Sequence, residues 1–333
     1  MKQKCIFLLA FFFLIISNAS TQTIEALSSG TKGSFRGLSV VDNNTVWVSG
    51  SGGQIGRTTD AGKTWKFHII KGQEKTEFRD IEAFDAMQAI AMGIGSPANI
   101  YRTVDGGETW NLVFSDSGKN MFLDAMEFWN EQSGVVIGDP IDGRFYMART
   151  FNGGRTWEPL PMAYRPIADS GEACFASSGT NIRKRKKDEA IFISGGLKSR
   201  IFIRDSSYFL PLLQGTESTG ANSIAVKDEN SFMVVGGDFN QKDATNNIVA
   251  YTKDGGKTWE KGLGSPDGYR SCVEFIRKKT WITCGLNGVD ITKDDGKNFT
   301  NISKTGYHVC RKAKKGKAVY FAGGQGRIGK LID

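Results

Sequence analysis

Arg36, Arg79, Arg270 and His308 are the residues whose types and spacing suggest chemistry. Each stands one residue after the aromatic that opens a short apolar run: Phe35-Arg36, Phe78-Arg79, Tyr269-Arg270 and Tyr307-His308. The same place in three further runs holds Leu123, Glu172 and Asn222, and Asp80 and Asp124 follow one residue after Arg79 and Leu123. Guanidinium groups brought to one point are costly unless they are solvated or meet an anion.

Two polar loops extend this set. One, Gly138–Arg144, carries Asp139 and Arg144, and the other begins Gly236-Gly237-Asp238. Functional residues concentrate on loops held by a rigid scaffold. The same residues have a structural reading. Asp139, Asp142 and Asp238 would cap turns, and Arg36, Arg79 and Arg270 would bridge neighbouring units, since ion-pair networks also gather such residues.

The elements that position these residues are set by a repeat. Arg57–Trp65 reads RTTDAGKTW, Arg102–Trp110 RTVDGGETW, Arg149–Trp157 RTFNGGRTW, Tyr251–Trp259 YTKDGGKTW and Ile291–Phe299 ITKDDGKNF. Asp or Asn at the third shared position opens a turn by accepting backbone N–H groups just ahead of it. The glycine at 62, 107, 154, 256 and 296 supplies a positive φ. The aromatic then opens the next strand and offers a large apolar body to a core.

The aromatics Trp65, Trp110, Trp157, Trp259 and Phe299 recur about every 45 residues, except for one gap about twice as long. A degenerate unit, Ala190–Gly196 and then Ser199–Phe209, fills that gap. Four short strands per unit is the mark of a propeller blade. Unit starts at Phe35, Phe78, Phe122, Gly171, Ala221, Tyr269 and Tyr307 predict an all-β, seven-bladed β-propeller. The last unit has room for three strands, so Thr21–Leu27 is expected to supply the fourth and close the ring, removing open edges. In such a ring the strand-start residues and the loops between the second and third strands share one mouth of the central channel. The repeat turns lie at the other mouth.

The repeat resembles the Asp-box, or BNR repeat, of sialidases and related β-propellers. Ser34-Phe35-Arg36-Gly37-Leu38, Val46–Gly53, Phe78-Arg79-Asp80-Ile81, Gly171–Phe175, Gly236-Gly237-Asp238 and Gly268–Cys272 resemble landmarks of the photosystem II stability/assembly factor propellers and their exported bacterial relatives. That resemblance covers almost the whole mature chain. It implies a non-catalytic propeller that binds a protein partner, with no cofactor; nothing in the chain points to a photosynthetic host. The sialidase-like side of the superfamily implies a glycoside hydrolase for acidic sugars, with Arg36, Arg79 and Arg270 as an arginine triad and Glu172 paired with Tyr269 or Tyr307. Phe35-Arg36-Gly37-Leu38 departs from the Arg-Ile-Pro start of that family. Binding of a protein partner or acidic glycan is therefore the preferred expectation.

The remaining features bound the setting. Met1–Ala19 reads as a signal peptide, with Lys2 and Lys4 before the apolar run Ile6–Ile16 and a small-x-small end at Ser17-Asn18-Ala19. Residues 20–333 then form one exported domain, periplasmic or extracellular, whose formal charge falls from +8 to +6 on cleavage. No later run is apolar enough to span a bilayer. No nucleic-acid or redox motif is present: there is no Gly-x-Gly-x-x-Gly opening a helix and no Cys-x-x-Cys. Two histidines and scattered cysteines argue against a zinc site. Cys272 and Cys284 flank a hairpin centred on Lys278 and would lie opposite one another, close enough for a disulfide. The basic runs Arg183–Lys187, Arg277–Lys279 and Lys312–Lys317 are expected in turns at the Asp-box end, either as solvated tips or as contacts to an anionic surface. A monomer is expected.

Overall fold

The computed structural model describes residues 22–186, 188–261 and 264–332; Met1–Ala19, expected to be a signal peptide, lies outside them. Seven antiparallel blades surround a central channel. Blade one is Phe35–Val40, Val46–Gly50, Gln54–Thr58 and Lys66–Ile69, close to the division read from the sequence. Blades two and three begin with inner strands Phe78–Ala83 and Leu123–Phe128. Blades five and six begin with Thr219–Val226 and Cys272–Arg277. Blade seven holds Val309–Lys312, Val319–Ala322 and Ile328–Ile332, and Thr23–Leu27 pairs antiparallel with Ile328–Ile332, from Thr23 opposite Ile332 to Leu27 opposite Ile328. Strands from both ends of the described chain thus complete one sheet.

Cores lie between blades. Trp47 and Ile55 of blade one pack with Phe78, Ile81 and Tyr101 of blade two. Ile201 and Ile203 of blade four pack with Ile224 and Phe232 of blade five. The Asp-box turns rivet these seams. In each turn the first Thr accepts the glycine N–H and donates to the acid: Gly62 N to Thr58 Oγ1 at 3.0 Å, and Thr58 Oγ1 to Asp60 Oδ1 at 2.8 Å. Asp60 then accepts the Thr64 N–H and hydroxyl at 2.9 and 2.6 Å. Its reach is four residues, longer than the local turn the sequence suggests, and the leading Thr is a partner that reading did not include. The Thr64 hydrogen bonds, side chain first, hold the Asp60 carboxyl down at about 2, and the matching threonines do the same for Asp105 and Asp254.

Each Asp-box glycine faces the preceding blade. A Cβ on Gly107 would stand 3.3 Å from the Trp47 ring of blade one, and one on Gly154 would stand 2.3 Å from Ile90 of blade two. These glycines have φ of +89° and +73°, so backbone conformation and space both require glycine. The following aromatics lie at the same seams. Trp157 is 6% exposed, while Trp65, Trp110 and Trp259 are half-buried against their clusters. All four give their rings to a core as expected, but Trp157 alone is buried.

Blade four departs from its expected start. Its inner strand is Ile182–Lys186, not a strand beginning at Gly171. Glu172–Ala173 pairs instead with Gly195–Gly196, and Gly195 pairs onward with Gly220 of blade five. Between them the small-residue run Ala176–Thr180 crosses the channel. Arg183, read as part of a turn tip, is consequently on the inner strand and buried. Arg277–Lys279 does form the tight turn between Cys272–Arg277 and Thr280–Gly285, and Lys312–Lys317 runs from the end of an inner strand into the next turn. No helix among the described residues is long and apolar enough to cross a membrane.

Candidate binding site at the channel mouth

The segment Cys174–Asn181 plugs the channel by touching blades on every side. Arg36 of blade one donates from Nη1 to the Ser177 carbonyl at 3.2 Å. The Ser177 hydroxyl donates to Asn222 Oδ1 at 2.7 Å, and Ser178 donates to the Ser271 carbonyl of blade six at 2.7 Å. The Arg311 guanidinium of blade seven reaches the Gly179 carbonyl at 3.4 Å. Gly179, at φ +61°, lies so close to the Asp80 carboxyl that a Cβ would stand 2.4 Å from it. Only glycine fits there.

Above the plug is a pocket of about 420 Å³, walled by Arg36, Arg79 and His308 on one side and by Phe175, Phe239 and Tyr269 on the other. Phe175 meets Phe239 edge-on at 5.7 Å, and Phe239 meets Tyr269 at 6.5 Å. Phe239 and Leu286 are 40% and 41% exposed, so apolar surface stands at the rim. Arg36 is half-buried, and desolvation together with the neighbouring Arg79 pulls its pKa below the usual value. Arg79 is held by Glu77, with Nε donating to Oε2 at 2.7 Å. His308 is not a cation here. Burial, then Arg36, Arg327 and Arg79, drive its pKa down to about 3. Its neutral ring contacts the Ser34 hydroxyl at 3.3 Å through Nε2.

Asp139 also lines this pocket and accepts the Cys174 N–H at 3.0 Å. Burial raises its pKa to about 6. Arg36, Arg79, Asp139 and His308 are therefore brought together as the sequence suggests.

The others are taken elsewhere. Arg270 is fully buried in blade six, donating from Nε to Asp290 Oδ2 at 2.7 Å, pairing with it again through Nη2, and reaching Asn287 Oδ1 at 2.7 Å. It does not face the mouth, because a carboxylate two strands away satisfies it within its own sheet. Glu172 is sealed against Arg200, whose Nε lies 2.8 Å from Oε1, and against Ser194 at 2.7 Å. The arginine triad and the Glu–Tyr pair of a sialidase are thus not assembled. Asn222 is buried and accepts the Tyr269 hydroxyl at 2.8 Å, which locks the pocket floor. Asp238 caps a turn through the Asn240 N–H at 2.9 Å, and Arg144 donates to the Arg165 carbonyl at 2.6 Å.

Asp80 and Asp124 are buried beneath the mouth. Asp80 accepts the Ile81 and Met126 N–H groups, both at 2.8 Å, yet burial still raises its pKa to about 7. Asp124 has no well-formed hydrogen bond among the described residues, and burial followed by Asp139 pushes its carboxyl well up.

At the opposite mouth lies a second pocket of about 420 Å³ that sequence reasoning missed. Arg183 stands 3.7 Å from Glu127 and 3.8 Å from Glu274, Arg311 stands 3.9 Å from Glu274, and Lys314 binds Glu82 at 2.6 Å. Glu82, Glu127 and Glu274 recur four or five residues after their unit starts, a spacing that was visible in the sequence. Of their cations, Arg183 was assigned to a turn because the start of blade four was misplaced, whereas Lys314 does lie in the turn expected of it.

The cysteines differ from expectation in number rather than in register. Cys272 lies directly opposite Cys284, as the hairpin implies, but the thiols are free and Cys310 of the next blade joins them.

Seven blades, Asp-box turns and a plugged channel define an Asp-box β-propeller with an arginine-flanked aromatic mouth. The BNR/Asp-box repeat family model matches residues 250–261. The fold is similar to that of YCF48 bound to D1 peptide, with TM-score 0.67 and 13% identity over 96% of this chain and 100% of that one. It is similar also to YCF48 from Cyanidioschyzon merolae, with TM-score 0.66 and 16% identity over 93% of this chain and 98% of that one. The WD40 β-propeller domain of Doa1 gives TM-score 0.63 at 12% identity, over 94% of this chain and 98% of that one. At these identities the likeness is one of fold. No curated protein sequence matches the chain.

Proposed function

We propose that this chain is an exported binding scaffold of the assembly-factor type, whose mouth pocket holds an acidic, aromatic-bearing segment of a protein partner. The observation that carries this reading is the pairing of Arg36 and Arg79 with Phe175, Phe239 and Tyr269 around one pocket. A carboxylate would meet the guanidinium groups through charge-assisted hydrogen bonds. Its apolar neighbours would cover the exposed Phe239 and Leu286, and clustered aromatic and arginine residues are the usual anchors of an interface. Peptide binding by the similar propeller supports a protein partner, and the Met1–Ala19 segment supports export.

The test is fluorescence anisotropy with a labelled peptide alternating Asp and Phe, and with its Asn-for-Asp counterpart. The acidic peptide should bind at least tenfold more tightly, and raising the salt should erase most of that preference. Equal binding of both peptides would refute the proposal, as would enzyme-like release of sugar from a sialoside by the purified chain.

A further inference from the structure

Cys272, Cys284 and Cys310 place three sulfurs within 4.8 Å of one another, all of them fully buried. They come from separate strands. Cys272 and Cys284 face each other across one hairpin of blade six, and Cys310 belongs to the inner strand of blade seven. The Cys272 and Cys310 sulfurs are 3.8 Å apart. A disulfide would need about 2.0 Å. Two thiolates on one metal, each bonded at about 2.3 Å, stand about 3.8–4.0 Å apart. Pairing any two of these cysteines would also leave the third thiol buried beside the bridge.

We propose that Cys272, Cys284 and Cys310 form a three-thiolate site for a single soft monovalent ion, Cu(I). Thiolate donors favour Cu(I) and zinc, and structural zinc sites almost always take four ligands. Here the described residues converge three. Each coordinating thiol passes its proton to solvent as its sulfur bonds the ion, with no change of oxidation state.

One backbone donor already serves the sulfurs. The Cys310 N–H points at the Cys272 sulfur at 3.4 Å. Three thiolates with Cu(I) would carry a net charge of −2, and the adjoining Arg270 and Arg311 are already paired with Asp290 and Glu274. Cys272 follows Ser271, which lines the mouth pocket, and precedes Glu274 by two residues, which lines the opposite one. The ion would therefore sit between the two pockets, pinning blade six to blade seven, the blade that closes the ring.

The test is to fold the full chain anaerobically with reductant and Cu(I), pass it over a competing chelator and count the copper retained. One copper per chain is expected, with three sulfur donors by X-ray absorption. Cys284→Ala should retain less than a tenth as much, and Cys174→Ala, a buried thiol outside the triad, should retain it all. If Cys284→Ala does not fold, the donor count on the unaltered chain decides. No retained copper, a site with fewer than three sulfurs, or a Cys272–Cys284 disulfide in the chain isolated from its own compartment would overturn the proposal.

Discussion

Arg36 donates across the channel to the carbonyl of Ser177, at 3.2 Å, and so joins the first blade to a segment that belongs to the fourth. With the contacts from Asn222, Ser271 and Arg311, it holds the segment that makes the mouth a pocket and not a pore. The plug gives Arg36 one partner, and Arg36 lines the pocket together with the aromatic residues. Asn222 and Tyr269 fix the same segment from blade five and the lead-in to blade six.

Closure of the ring by Thr23–Leu27 should be essential to stability. Deleting these residues exposes the full length of Ile328–Ile332 as a sheet edge. Denaturant unfolding should show a large fall in midpoint together with concentration-dependent association. An unchanged midpoint would mean that the strand is ornamental.

The Asp-box aromatics should not be equivalent. Trp157→Ala removes a side chain that is 6% exposed and meets Phe128 edge-on at 5.8 Å, and should cost about 3–5 kcal/mol. Trp65, Trp110 and Trp259, being half-buried, should cost less. Equilibrium denaturation of the four variants tests this ranking.

The Arg270–Asp290 pair should behave as buried structure. Arg270→Ala strands a carboxylate that is 1% exposed and should cost about 3–5 kcal/mol. Arg270→Met combined with Asp290→Leu should recover at least half of that loss. If the single change were harmless and instead abolished ligand binding, Arg270 would belong to the mouth after all.

Asp80 sets a pH dependence of definite sign. Its folded pKa is about 7 against 3.8 for the free group, since burial outweighs Arg311 and the Met126 and Ile81 N–H groups. The folded state therefore holds the proton longer than the unfolded state. The stability tied to Asp80 is complete below about pH 4 and is lost as the pH rises to about 7. Asp60, Asp105 and Asp254 act oppositely, and their contribution is lost as the pH falls from 3.8 through about 2. Asp80→Asn should flatten the decline in unfolding free energy between about pH 4 and pH 7. An identical slope in both proteins would contradict the assignment.

How much could be read in advance follows from range. The Asp-box turns are local, so five copies revealed blade spacing, seams and glycine placement, and the missing fourth strand of the last unit pointed to Thr21–Leu27, of which Thr23–Leu27 forms the strand. Arg36 and Arg79 were legible because they repeat at a strand start. Arg270 looked the same, yet Asp290 lies on the third strand of its own blade, and no local pattern predicts that pairing. Glu172 was misread because the degenerate fourth unit has no Asp-box to set its phase, and the run Ala176–Thr180 carries no alternation to show that it leaves the sheet. Cys310 escaped notice for a similar reason: the Cys272–Cys284 hairpin is local, while the third sulfur arrives from the next blade.

The most direct measurement is the affinity of the labelled Asp–Phe peptide for Arg36→Glu and Arg79→Glu, each compared with Arg277→Glu at the opposite end. Each mouth change should weaken binding at least tenfold and abolish its salt dependence while the chain stays folded, and Arg277→Glu should leave affinity unchanged. Undiminished binding in both mouth variants, or an equal loss in Arg277→Glu, would contradict the assignment of the mouth as the binding site.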